Sequence, residues 1–437
     1  MVTQVSRVRA DNSPRSVPSY QVRIGSAPAS SLRRHRAVSG SELRAAVGRA
    51  RETMATIVKD ETPRCVQHGC IGVVRYSVDM QHVLILAGGS GTRLWPLSHQ
   101  GEPKQLLELI DGMSLLRMAY ERVAGLVPDA NIVVCTGASY ADTVAKLLPE
   151  LPAENILGEP VGRDSLNAVA WPAGIIADRD PDGVMAVVTA DHIIRPADDF
   201  RAALQHGFDL ATDDPAALVT FGVVPTEPNT GFGYLHRGGP LDSDPRGYKV
   251  LEFVEKPSPE LAREYLDSGE YWWNSGMFVW RASTLLNCVS QLKPRTRHQV
   301  DELVADPSRI TEVYPLMEKV SVDVAVMEPA SHGGCGVHVA AIPLEIQWYD
   351  VGSFEALAPH LPEDGGGNNV TGMTVTVDSA GNLLINDRPD TVLAVAGLHG
   401  MAVVSTDRAT LVVPLSHSQQ VKALVAEVAA QAGGRFA

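Results

Sequence analysis

An α/β layered fold with a mostly parallel central sheet is what this sequence predicts, and three observations carry the prediction. The apolar run Val83-Leu84-Ile85-Leu86-Ala87 opens directly into a glycine-rich turn. Further runs at 132–135, 184–189 and 217–223 are apolar throughout, the pattern of strands covered on both faces. Helix-like segments near 114–126, 139–148, 165–179 and 197–212 separate them, with another helical stretch expected after Pro103. Strands alternating with helices build parallel sheets, and in such a Rossmann-like sheet ligands bind outside the carboxyl ends of the strands.

The catalytic-sized unit is expected over 81–360. Around 361–369 the composition changes to Leu-Pro-Glu-Asp-Gly-Gly-Gly-Asn-Asn, a turn-rich linker. Short β-like runs follow at 373–377, 382–385, 392–396, 401–406 and 410–414. Their regular spacing predicts a small β unit over 370–437, a partial β-solenoid closed by a helix over about 417–432. Residues 1–80 are rich in Arg, Ser, Ala and Val; apart from a short helix over 41–58 they read as a disordered basic extension, and translation starting at Met80 is an alternative.

Charge narrows the function classes. The chain carries a formal charge of −14, but residues 1–82 hold 13 Lys/Arg against 6 Asp/Glu, so the remainder is far more acidic than the total implies. Such a body repels a nucleic-acid backbone, and any phosphate it binds must be held by a few focused donors and a cation. The five cysteines are scattered and odd in number, which argues for a reducing compartment, with cytoplasm the default. Cys65 and Cys70 flank His68 without a second ligand pair at zinc-like spacing, so they read as part of the tail. No run of about 18 apolar residues predicts a membrane span, and no compact apolar stretch with a cleavage site predicts a secretory signal.

The sharpest motif is Leu86-Ala-Gly-Gly-Ser-Gly-Thr-Arg-Leu-Trp-Pro-Leu-Ser98, followed by Pro103-Lys104-Gln105. Glycines after a strand let backbone N–H groups approach phosphate oxygens, and Arg93 and Lys104 supply fixed charge. A Walker loop would need Gly-Lys-Ser/Thr, and a dinucleotide fingerprint would need Gly where Leu94 stands; neither fits. Asp191 follows the apolar run 184–189, where a carboxylate can bind Mg²⁺ or cap a following helix. Further along stand Thr230-Gly-Phe-Gly-Tyr234, Phe253-Val-Glu-Lys-Pro257, Trp273-Asn-Ser-Gly-Met-Phe278 and Gln347-Trp-Tyr-Asp-Val-Gly-Ser353. Each has a bland reading as a turn or exposed loop.

The segment from Gly88 to Gln105 closely resembles the signature of nucleotidyltransferases acting on sugar phosphates, and its Arg-Leu-Trp-Pro-Leu-Ser and Pro-Lys-Gln forms are similar to those of mannose-1-phosphate guanylyltransferases. The resemblance runs over about 82–437. It implies a nucleotide-diphospho-sugar transferase type of fold, and Trp95 and Gln105 stand where glucose-phosphate relatives carry other residues. By this likeness Leu86, Gly88, Gly89, Gly91, Thr92, Glu159 and Arg163 hold the nucleotide, while Arg93, Lys104 and Lys256 carry catalysis. Gly233, Glu255, Lys256 and Asn274 then take the sugar phosphate, and Asp191 and Asp350 ligate Mg²⁺. The implied substrates are GTP and mannose 1-phosphate, with no nucleic acid or membrane partner and with homodimers as a possible assembly. Asp164 and Asn167 depart from the family pattern near the nucleotide, and Phe354 stands where Trp is common. The roughly 70 residues after the linker are too few for the isomerase unit of bifunctional relatives, so transferase activity alone is expected.

Other classes remain in view. UTP or ATP with glucose 1-phosphate would keep the fold, and a regulatory paralogue would keep binding without turnover. A glycosyltransferase would show Asp-x-Asp at a strand end, whereas Asp178-Arg-Asp180 and Asp242-Ser-Asp244 lie in polar, turn-like contexts.

Overall fold

The computed structural model describes residues 80–436 apart from Ser90 and Gln100; the expected helix over 41–58 and the Cys65–His68–Cys70 group lie outside the described residues. Strands β1 (Gln81–Ala87), β2 (Ile132–Gly137), β3 (Ile156–Glu159) and β4 (Val184–Thr189) pair parallel in the order β3-β2-β1-β4. Strand β5 (His192–Arg195) leaves this sheet. The sheet continues through β6 (Ala217–Val223), β7 (Tyr234–Pro240), β8 (Tyr248–Val254), β9 (Tyr271–Arg281) and β10 (His338–Pro343). Its full order is β3-β2-β1-β4-β9-β6-β10-β8-β7, with β9 antiparallel to both β4 and β6, and β10 parallel to β6.

The unbroken apolar runs follow from this layering. On β1, Val83 and Ile85 pack into one core with helices Leu115–Val123 and Ala197–Asp213, while Leu84 packs into a second core with Ser165–Arg179, Ala282–Leu292 and Pro294–Ala305. Both faces are covered, so both carry apolar side chains over 83–87. Each buried Leu, Ile or Val contributes about 2 kcal/mol by leaving water.

The stretch after Pro103 is a correction to the expected helix. Only Lys104–Leu106 forms a single 3₁₀ turn, and Leu107 is already extended. Leu107 and Ile110 are drawn into a third core, and a left-handed Asp111-Gly112 pair turns the chain before Ser114 caps the next helix. Tertiary burial wins over local helix propensity here.

Strand β11 (Gln347–Asp350) pairs antiparallel with β5. Past the linker come β12 (Asn369–Thr371), β13 (Thr374–Val377), β14 (Leu383–Asn386), β15 (Leu393–Ala396), β16 (Met401–Ser405) and β17 (Thr410–Pro414). β12, β14 and β16 stack parallel, β13 pairs parallel with β15, and β17 closes the larger sheet antiparallel. Buried asparagines hold the corners of the coils: Asn382 Nδ2 donates to Asn368 Oδ1 (2.8 Å) and to Leu398 O (2.7 Å). The helix Val421–Ala432 then packs Val421 and Val425 against Leu94, Trp95 and Leu97. The C-terminal unit therefore buttresses the back of the glycine-rich segment.

Candidate active site

The chain leaving β1 becomes a loop that only glycine can follow at two points. Gly89 and Gly91 hold φ of +91° and +61°. A Cβ on Gly91 would lie 2.8 Å from Lys104 Cβ and 2.9 Å from Lys104 N, so the loop rests directly on the backbone that carries Lys104. Ser98 Oγ donates to Gly91 O (2.5 Å), and the buried Gln105 sends Nε2 to Ala87 O (2.7 Å). Gly88 and Gly89 are exposed, and Thr92 opens a one-turn 3₁₀ helix that carries the exposed Arg93. Leu86 is partly buried, and its carbonyl accepts from Ala190 N (2.9 Å). Trp95 is buried, and its indole N–H donates to Phe436 O (2.6 Å). Both residues that mark the likeness to guanylyltransferases thus hold the loop's shape from behind it.

Asp191 sits between β4 and β5, followed by a strand, so the helix-cap reading of this residue does not apply. The β5–β11 ribbon places Asp350 opposite His192, and Val351 N donates to Asp191 O (3.3 Å). Two carboxylates distant in sequence thereby meet: one ligand atom from each of Asp191, His192 and Asp350 falls within 4.8 Å of the others. Lys104 Nζ lies 2.6 Å from Asp191 Oδ2 and 3.9 Å from Asp350 Oδ1, and donates to Val351 O (3.3 Å). Arg93 Nη1 donates to Gly352 O (3.3 Å), so both loop cations grip the turn after β11.

Burial would raise the Asp191 carboxyl, but Lys104 overrides it and holds the group at about 2. Burial pulls Lys104 down, and Asp191 and then Asp350 more than restore it. Lys104 faces both carboxylates at once, with the Arg93 and Arg122 guanidiniums close by. The donor set fits a divalent cation of the Mg²⁺ type, which prefers carboxylate oxygens and keeps positions open for water and phosphate. His192 is a poor third ligand. Trp348 Nε1 donates to its Nδ1 (3.1 Å), and burial keeps the ring neutral, so the remaining proton sits on Nε2, 3.9 Å from Asp191 Oδ1.

At the end of β3, Glu159 is buried, with Tyr314 OH donating to its Oε1 (2.6 Å) and Oε2 lying toward Gly88. Burial raises its pKa. Arg163 donates to Pro315 O, tying its loop to the 3₁₀ turn Tyr314–Leu316. The departures from the family pattern have structural jobs. Asp164 accepts from Ser165 N (2.9 Å) at the start of a helix, and the fully buried Asn167 sends Nδ2 to Arg163 O and Glu318 O, both at 2.7 Å.

Across the cleft, a Cβ on Gly233 would lie 2.8 Å from Glu255 Oε2. Glu255 pairs with Lys256, whose φ is +49°; burial would lower the Lys256 pKa, and Glu255 raises it instead. Asn274 is buried and already engaged: Oδ1 accepts from Thr220 Oγ1 (3.0 Å) and Gly276 N (3.2 Å), and Nδ2 donates to Asp323 Oδ1 (3.0 Å). Burial, with Glu255 nearby, pushes the Asp323 carboxyl up to about 7. Between the two ends lies an open cleft of about 1550 Å³ whose lining includes Arg93, Phe232, Lys256, Trp273, Trp348 and Asp350. It exceeds the roughly 300–1,000 Å³ of a site for one small ligand.

Of the residues expected at the site, Lys104, Asp191 and Asp350 converge, and Arg93, Lys256 and Asp350 line the cleft, whereas Asn274 lies within β9. Sequence reasoning missed Asp323, Tyr314 and Trp348. Trp348 was in view as part of the Asp350 motif, but Asp323 sits in a one-turn π-helix, Asp323–Met327, with no motif around it to flag it.

A nucleotidyl transferase family model matches residues 82–363, and a MannoseP isomerase/GMP-like beta-helix domain model matches 372–428. The mannose-1-phosphate guanylyltransferase of Escherichia coli is 37% identical over 352 residues, covering 78% of this chain and 72% of that protein, and the one from Klebsiella pneumoniae matches equally. Among solved structures, one described as mannose-1-phosphate geranyltransferase from Thermus thermophilus aligns with a TM-score of 0.71 at 32% identity, covering 80% of this chain and 99% of that one. With the glycine loop, the paired aspartates and the solenoid cap all in place, the chain belongs to the nucleotidyl transferase family.

Proposed function

We propose that the protein transfers the guanylyl group of GTP to mannose 1-phosphate, giving GDP-mannose and pyrophosphate. The observation that carries the reading is the convergence of Lys104, Asp191 and Asp350 beneath the glycine loop, where a polyphosphate and a divalent cation can share one charge system. The substrate pair is supported by the named activity of relatives that match across 72% of their length. Among the described residues no helix is long and apolar enough to cross a membrane.

In the reaction an oxygen of the sugar phosphate attacks the α-phosphorus of the triphosphate in line, a P–O bond forms, the α–β bridging P–O bond breaks, and pyrophosphate leaves. A phosphate monoester is largely ionised at neutral pH, so no general base is needed. Asp191 and Asp350 are the residues that would hold Mg²⁺, which when bound offsets charge on the phosphates. Exposed N–H groups at Gly88 and Gly89 face the phosphates, Arg93 and Lys104 supply positive charge, and Lys256 meets the sugar phosphate. Glu255 accepts from sugar hydroxyls. Catalysis is then orientation plus electrostatic stabilisation. Arg93 spends one donor on Gly352 O and Lys104 donates to Asp191 and Val351 O, so both keep donors for phosphate oxygens.

Pyrophosphate release measured across four nucleoside triphosphates and several hexose 1-phosphates tests this. Turnover is expected for GTP with mannose 1-phosphate above every other pair. Preference for UTP or ATP with glucose 1-phosphate would reassign the substrates, and turnover with none would favour a regulatory, non-catalytic role.

A further inference from the structure

Behind the cation corner lies a guanidinium that the reaction scheme does not use. Arg122, in the last turn of the helix Leu115–Val123, is only 5% exposed, and no salt bridge to a carboxylate is formed by it among the described residues. Its two terminal nitrogens instead donate to two backbone carbonyls: Nη1 to His192 O and Nη2 to Thr189 O (3.2 Å). Those carbonyls belong to the last residue of β4 and the first residue of β5, and only Ala190 and Asp191 lie between them. Nε has no partner among the described residues, and the ring of Phe200 lies 5.8 Å from Cζ.

Burying an arginine with no paired carboxylate is costly, and two neutral carbonyls offset only part of that cost. Desolvation lowers its pKa to about 10, and the negative charge of Asp191 acts against that fall, so the group remains cationic at neutral pH. An apolar residue of similar volume would fill the space but leave both carbonyls without this donor. A rigid two-pronged donor is suited to a narrower task, because it fixes two carbonyls flanking a two-residue turn at one spacing. The remaining anchors act on the same turn: Ala190 N donates to Leu86 O (2.9 Å), and Asp191 O accepts from Val351 N (3.3 Å).

We propose that Arg122 is the positioning residue of the cation site: it clamps the carbonyls of Thr189 and His192 so that the Asp191 carboxylate is held toward Asp350 and Lys104. The proposal rests on the reading of Asp191 and Asp350 as the cation ligands. Arg122 touches neither substrate nor reacting atom. Its effect is on the affinity of the site for a divalent ion.

The test uses the full-length chain without substrates, with Mn²⁺ as probe and the electron paramagnetic resonance signal of free Mn²⁺ as readout. Arg122→Lys keeps the charge but cannot span both carbonyls, and it is expected to weaken Mn²⁺ binding about tenfold or more; Arg122→Met should weaken it further. Phe200→Leu, which changes the core beside the same side chain but none of its hydrogen-bond partners, should lower the melting temperature while leaving Mn²⁺ affinity at the wild-type value. Asp191→Asn separates the two ideas. If Asp191→Asn loses Mn²⁺ while folded Arg122→Lys binds it as tightly as wild type, the role of Arg122 is overturned and the ligand assignment stands. If Asp191→Asn binds Mn²⁺ like wild type, the ligand assignment fails and takes the role of Arg122 with it. A loss of affinity in Phe200→Leu equal to that in Arg122→Lys would show a general packing effect and also overturn the proposal.

Discussion

At one end of the cleft, Lys104 is the counter-ion of two carboxylates distant in sequence, whereas at the other end Asn274 already has Thr220, Gly276 and Asp323 as partners. The first corner is a cluster of opposed ions, and its contacts are of the kind that exchange when a cation and phosphates arrive. The second is satisfied in place, with at most one N–H of the Asn274 amide left for a ligand. A site that recognises hydroxyls gains by being rigid, because unpaired buried polar groups are what reject the wrong hydroxyl pattern. A site that handles moving charge needs fixed charges near where the charge develops.

This contrast predicts different kinetic failures at the two ends. Lys104→Met should lower kcat by about 10²–10³-fold, the usual cost of removing one transition-state charge partner, with little change in the KM for mannose 1-phosphate. A drop confined to KM would mean that Lys104 only binds. At the opposite end, Glu255→Gln should raise the KM for mannose 1-phosphate about tenfold, the order expected for a charged hydrogen bond, with kcat held within a few fold. A comparable loss in kcat would erase the distinction between the corners.

The smallest effect concerns pH. The Asp323 carboxyl is raised to about 7 by burial and then by Glu255, so between about pH 4, where an unfolded Asp titrates, and pH 7 the folded protein holds a proton that the unfolded chain has released. Stability contributed by that proton is present at low pH and is lost as pH rises toward 7. Asp323→Asn keeps an acceptor for Asn274 without the charge, and should melt about 2 °C above wild type at pH 8, with a smaller gain at pH 5. A gain independent of pH would show that Asp323 does not titrate in this range.

What was legible in the chain and what was not divides along the same line. The strands of the sheet core could be read because both their faces are buried, and the loop motif because phosphate contact demands glycine where other residues would clash. The solenoid runs were visible from their spacing. The helix expected after Pro103 failed because Leu107 and Ile110 are buried by residues from beyond 350, which local pattern cannot anticipate. Trp95 and Gln105 looked like substrate markers, yet they hold the loop from behind, one through Phe436 O and the other through Ala87 O. Arg122 and Asp323 were invisible for the same reason: an arginine in a helix and an aspartate beside a short turn acquire meaning only when the fold brings carbonyls or an amide to them.

If Asp191 and Asp350 act through one shared cation, a double-mutant cycle on Mg²⁺-supported pyrophosphate release reveals it most directly. Asp191→Asn and Asp350→Asn should each lower kcat/KM steeply, and the double variant should be scarcely worse than the more damaged single one, because the second change removes a ligand from a site already lost. Losses that multiply in the double variant would mean that the two carboxylates act independently, and the shared-ion account would be wrong.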